Sequence, residues 1–155
     1  MPTRQPDLID RKILRLLQKD ATISLAEISR HVGLSQTPTW KRIQRLEASG
    51  VILGRVALLS PEAIGLGLTA YVSIESGDHS VEWMEQFARG IADMPEVLEV
   101  YRMAGEIDYM LRVVVPDIAS YDAFYKRLIA LVGLKNVTSR FAMERLKATT
   151  VLPIP

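Results

Sequence analysis

The apolar positions of this chain change their spacing partway along, and the change marks a domain boundary. Ile9, Ile13, Leu16 and Leu17 lie at i, i+4, i+7 and i+8, one buried stripe of a helix from about Asp7 to Gln18. Asp7 and Asp10 fall in its first turn, where negative charge suits the helix dipole. Leu25, Ile28 and Val32 form the stripe of a second helix. Ser24 with Glu27 three residues on is a capping box at its start,. Gly33 ends it in the left-handed conformation that glycine adopts cheaply. Thr39, Ile43 and Leu46 give a third helix its inner face. That helix begins at Ser35 or Thr37. Pro38 fits either start, as the third helical residue or the first.

Val51 to Leu59 is β-prone, Ser60, Pro61 and Glu62 mark a turn, and residues 64–67 lead onward. From Leu68 the period becomes two: Leu68, Ala70, Val72 and Ile74 alternate with Thr69, Tyr71, Ser73 and Glu75, which predicts a strand. Helical spacing returns at Trp83, Phe87 and Ile91 behind Ser80, a good N-cap,. Val97–Met103 and Asp108–Val115 read as a hairpin. A helix follows from Asp117 to about Val132, with Tyr121, Phe124, Tyr125, Leu128 and Leu131 inward. Val137–Thr149 is the last strand. The order β-α-β-β-α-β, with both helices on one sheet face, is ferredoxin-like. The expected fold is α+β: a three-helix winged helix-turn-helix domain at 1–52, a linker strand at 53–67 and a ferredoxin-like domain at 68–155. The helix-free sheet face, with Met110, Val114, Phe141 and Met143 as its apolar groups, is expected to meet a second copy.

Charge sharpens the division. Residues 1–55 hold ten Lys/Arg against five Asp/Glu, a net of +5, whereas residues 56–155 hold nine against thirteen, a net of −4. Only the front is suited to a polyanion. There are no cysteines, which excludes disulfides, thiolate chemistry and cysteine–zinc sites. No apolar run is long enough for a membrane span, and Met1–Asp7 lacks a signal-peptide core. A cytoplasmic protein without cofactor or metal is expected.

The third helix carries the chemistry. Stepping 100° per residue puts Thr37, Lys41, Gln44 and Arg45 opposite its inner face, with Trp40 and Arg42 on the flanks. Gln36 and Gln44 suit adenine edges, and Arg45 suits guanine. Ser35, Thr37 and Lys41 suit phosphates, which fix register. Thr39 and the flanking Trp40 and Arg42 complete the candidate DNA-binding set. The order of the three helices is that of a helix-turn-helix reader.

Three stretches together resemble one family: Asp7 to Leu14; Leu17 to Asp20; and Gly33 to Ile52, which includes Pro38, Trp40, Lys41, Arg42, Arg45 and Leu46. They are similar to the leucine-responsive/asparagine-regulator (Lrp/AsnC) transcription factors, and the β-α-β-β-α-β order extends the likeness to about Val151. The resemblance implies a sequence-specific regulator of double-stranded DNA. It implies a homodimer that assembles further, often to octamers, and responds to an amino acid. It also implies an effector site at the glycine–x–x–aspartate turn, here Gly105 to Asp108 with Tyr109, and with Met103, Thr138 and Ser139 as walls. Asp108 suits an ammonium group, and the backbone around Gly105 suits a carboxylate.

Two other classes are weighed. An enzyme lacks a phosphate loop, nucleophile elbow or metal cluster in this sequence. Siroheme decarboxylases share the architecture, yet the predicted strands offer no histidine; His31 and His79 lie at a helix end and in a turn. A ligand-sensing assembly without DNA binding would not need the basic face of the third helix.

Overall fold

The computed structural model describes residues 5–155. Met1–Arg4, the start of the stretch read as lacking a leader, lie outside the described residues. The chain divides into two compact units, one holding the residues up to Leu58 together with Lys147–Pro155, the other Leu59–Leu146.

The first unit is built on α1 (Leu8–Leu17), α2 (Leu25–Val32) and α3 (Gln36–Ala48). Each start has a local cause. Asp7 caps α1 by accepting from the Ile9 and Asp10 amides, both at 2.9 Å, and the Asp10 carboxylate in turn accepts from the Asp7 amide. Ser24 and Glu27 make the expected capping box on α2, and Gly33 closes α2 at φ 71°. Ile13, Ile28, Val32, Ile43 and Leu46 form the buried core between the helices.

The expected linker strand is absent: residues 53–59 form no strand. Leu53, Val56 and Leu58 are exposed, and among the described residues no neighbouring strand supplies the ladder that a strand needs. A 3-10 turn, Glu62–Ile64, follows. Residues 147–155, expected within the second domain, join the first unit instead. The side-chain amide of Gln18 pairs with the Leu152 backbone in both directions, at 3.0 and 2.9 Å. Arg15 donates to the Ile154 and Pro155 carbonyls.

The second unit contains β1 (Leu68–Ser76), α4 (Val81–Ala92), β2 (Val97–Arg102), β3 (Tyr109–Val115), α5 (Ile118–Leu131) and β4 (Leu134–Phe141). The sheet runs β2-β3-β1-β4 and is antiparallel throughout. Ala70, Val72, Ile74, Leu111 and Val113 face Trp83, Phe87, Phe124 and Leu128 of the helices. The last strand starts three residues before its expected beginning and stops at Phe141. Ala142 donates one final bond to Thr69, and β1 offers no partner beyond it.

The helix-free face is more polar than expected. Arg112 pairs with Glu99 at 2.6 Å, and Arg140 donates to Ser73 at 2.9 Å. Phe141 points the other way and meets Tyr121 edge-on, with ring centroids 4.9 Å apart. Met143 lies beyond the strand, fully exposed. Met110 and Val114 do sit on this face, opposite Ser73 and Thr69 of β1.

Candidate nucleic-acid interface and effector turn

Helix α3 begins after Ser35, so Pro38 is its third helical residue. Proline has no N–H there, which removes one of the amides a capping side chain would bind. The Ser35 hydroxyl accordingly makes no cap bond. Ser35, Gln36, Thr37, Lys41 and Gln44 are exposed, while Ile43 and Leu46 are buried beneath them. Trp40 is half exposed at the edge. Gln44 donates to Glu47 at 3.0 Å, and Glu47 also holds Arg55 at 2.9 Å.

Two members of the proposed contact set differ from expectation. Thr39 is fully buried, and its hydroxyl donates to the Ser35 carbonyl at 3.0 Å. It anchors the first turn of α3 and offers a duplex nothing. Arg42 is turned to α1: its Nη1 lies 2.7 Å from Asp7 and 2.8 Å from Asp10, and its side chain is 25% exposed. The Arg42 bond, with backbone donation from Asp10, holds the Asp7 carboxyl down to about 2 from its ordinary 3.8.

Arg45 has a divided position. Its side chain is 48% exposed on the outer flank of α3, yet its Nη2 donates to both oxygens of Asp10 at 3.0 and 2.8 Å. Asp10, read from sequence only as a helix-dipole residue, is the buried acceptor for two arginines. Its partners lie 32 and 35 residues away, so no local pattern announces them. A sequence signal did exist: the short polar Asp10 sits one turn from Ile13 on the inward-facing side of α1.

In the second unit, Met103, Gly105 and Asp108 come together at the β2–β3 turn. The Met103 amide donates to the Asp108 carbonyl at 2.8 Å, and Gly105 has φ 125°, a conformation that favours glycine. The Asp108 carboxylate is partly engaged already. One oxygen accepts from the Ser76 amide at 2.7 Å and its hydroxyl at 3.2 Å; the other lies 3.9 Å from His79 Nδ1. Bonding to the Ser76 amide lowers the Asp108 pKa, opposed by partial desolvation.

The remaining residues expected at this turn lie elsewhere. Tyr109 packs inward against Phe87 and Trp83, with centroids 4.8 and 5.8 Å away. Thr138 and Ser139 are on β4, separated from β3 by β1, a distance of roughly 10 Å across two strand spacings. Ser139 bonds the Tyr121 hydroxyl on the helix side. Within one chain these three do not join the turn.

Comparisons with known proteins match both units. Residues 6–52 fit the family model for winged helix-turn-helix DNA-binding domains, and residues 69–152 that for Lrp/AsnC ligand binding domains. The chain is 56% identical over 149 residues to the Escherichia coli DNA-binding transcriptional activator DecR, covering 96% of this chain and 98% of that protein. It is 49% identical over 152 residues to a glutamate uptake regulatory protein of Zymomonas mobilis, covering 98% and 93%. A crystal structure of an AsnC family regulator from Agrobacterium tumefaciens superposes with TM-score 0.90 at 54% identity, covering 95% of this chain and 96% of that one. A Neisseria meningitidis transcriptional regulator in complex with L-methionine gives TM-score 0.89 at 33% identity, covering 96% and 97%.

Proposed function

The chain belongs to the Lrp/AsnC family of transcriptional regulators, and from that premise we propose that it is a sequence-specific DNA-binding regulator responding to an amino acid or a related small metabolite. The observation that carries this reading is the outer face of α3. Ser35, Gln36, Thr37, Lys41, Gln44 and Arg45 stand exposed on a helix whose other side is locked into a core. Phosphate contacts from Ser35, Thr37 and Lys41 set the register. Gln36, Gln44 and Arg45 read base edges in the major groove, with Trp40 at its wall. Arg42, held by two carboxylates, orients the helix.

A second copy supplies the second reader, so that two half-sites lie about 34–36 Å apart on one face of the duplex. Larger assemblies, octamers among them, build from such dimers. The protein acts in the cytoplasm, where the DNA is. The effector binds at the Gly105–Asp108 turn. The Asp108 oxygen turned away from Ser76 takes the ammonium group, and backbone amides near Gly105 take the carboxylate. The methionine complex of the Neisseria meningitidis regulator supports this ligand class.

Gel shifts with genomic fragments test the reader; the expected result is binding that weakens steeply with salt. A thermal-shift screen of the twenty amino acids tests the sensor, because a bound ligand stabilises by mass action. Salt-independent or absent duplex binding rejects the first half of the proposal. Failure of all twenty to raise the melting temperature rejects an amino acid as the effector and leaves only a related metabolite, to be screened in the same assay.

A further inference from the structure

One buried charge beneath α3 does more than hold Arg42. Asp10 is a carboxylate whose side chain is 4% exposed, and an ion taken from water is costly unless it is paired. Capping α1 does not require it, since Asp7 already supplies the cap and an uncharged carbonyl would accept the Asp7 amide as well. The groups that do require an anion are Arg42 and Arg45, which donate to it at 2.8, 2.8 and 3.0 Å.

Resting on the DNA reading above, we infer that Asp10, a residue beneath the reach of any duplex, is a positioning residue for sequence specificity. It aims the guanidinium of Arg45 so that the N–H groups left outward read a guanine. Arg45 is held through Nη2 alone. Its Nε and Nη1 have no partner among the described residues, and the side chain stands half exposed beside Lys41 and Gln44. A guanidinium is rigid and planar, so holding Nη2 against two carboxylate oxygens restricts the directions open to its remaining N–H groups. The rotamer ordering that a free arginine would undergo on binding has then already occurred.

Charge points the same way. Asp7, Asp10, Arg42 and Arg45 sum to zero, so this cluster has little general attraction for phosphate. Lys41, exposed and without an acidic partner among the described residues, has that attraction. What Arg45 retains is directional hydrogen bonding, the property that distinguishes a base edge.

The test uses the full chain and an operator selected from random duplexes. Affinities are measured for the wild type, Asp10→Asn, Arg45→Lys and the double variant, on every single-base variant of that operator and on bulk DNA. Arg45→Lys keeps a cation for Asp10 but loses the fork; the expected loss of preference at one G·C pair is roughly tenfold or more. Asp10→Asn is expected to relax the same pair to a similar extent and to tighten binding to bulk DNA, since the cluster then carries a net positive charge. The double variant is expected to be no less selective than the single ones. Replacing that guanine by 7-deazaguanine should weaken only the wild type.

Unchanged base preference in Asp10→Asn overturns the inference. So does a uniform weakening on all sequences, which a merely displaced helix would give, or relaxation at a different pair. A uniform loss with a shallower salt slope in Arg45→Lys makes Arg45 a phosphate contact and equally overturns it. If Asp10→Asn does not fold, nitrogen-15 spectra of the free wild type decide: slow rotation at the Arg45 Nη2 group is expected, and an averaged signal refutes the buttress. A wild type with sequence preference that no variant alters removes this inference alone, whereas a wild type that binds no duplex removes the DNA reading with it.

Discussion

Truncating Ile13 to alanine should destabilise the first unit while leaving the second unaffected. Ile13 is fully buried among Ile28, Val32, Ile43 and Leu46. Removing its outer carbons leaves a cavity where α1 meets α2 and α3, at a cost of about 2–5 kcal/mol. A domain of this size has a stability of only about 3–9 kcal/mol at 0.05–0.15 kcal/mol per residue. Each kcal/mol lowers the midpoint by about 4–8 °C in a unit this small, so the expected fall lies between about 8 and 40 °C. The chain carries two tryptophans, Trp40 on α3 and Trp83 in the core of the second unit. Replacing each in turn by phenylalanine isolates one fluorescence reporter per unit. The Trp40 transition should move down and the Trp83 transition should stay. If both move together, the units form one cooperative block and the two-core account is refuted. If neither moves, Ile13 does not occupy the centre of the reader core.

Lys41→Ala should weaken binding on every duplex alike and lower the slope of log affinity against log salt by about 0.9 per reader; an unchanged slope would place Lys41 away from phosphate. The Asp7 pKa is depressed from 3.8 to about 2 by Arg42, so its contribution to folding is complete above about pH 4 and disappears as the pH falls through 2. The Trp40-reported midpoint should therefore drop between pH 4 and 2, and drop less in Asp7→Asn; equal acid sensitivity in the two proteins would contradict the ion pair. Asp108→Ala should lower the melting temperature of the second unit, because the Ser76 amide loses its acceptor. It should also abolish any amino-acid-induced thermal shift while leaving basal duplex binding; a preserved shift would remove Asp108 from the effector site.

Local signals in the chain carried most of the fold. The Ser24–Glu27 box, the left-handed Gly33, the Ser80 cap and the period change at Leu68 each act within a few residues, and each element appears where those signals put it. Long-range arrangements were not legible. Asp10 gives no sign in its own neighbourhood of Arg42 or Arg45, because the pairing depends on how α1 crosses α3. The return of Leu152 to Gln18 spans 134 residues and rests on backbone groups that every residue has. Tyr109 points away from the turn for a parity reason: successive strand residues face opposite sides, and the one after Asp108 turns to the helices. Thr39 suits both the inner face and the contact set by its spacing; its burial leaves only the first role.

Methylation of the bound operator by dimethyl sulfate tests most directly whether the exposed side of α3 enters the major groove. The reagent attacks guanine N7 in the major groove and adenine N3 in the minor groove, so one lane reports both surfaces. Protection of guanine N7 at two sites one helical turn or a multiple of a turn apart is the predicted outcome, with adenine N3 between them still reactive. Protection confined to adenine N3, or none in a complex shown to be intact, would contradict it.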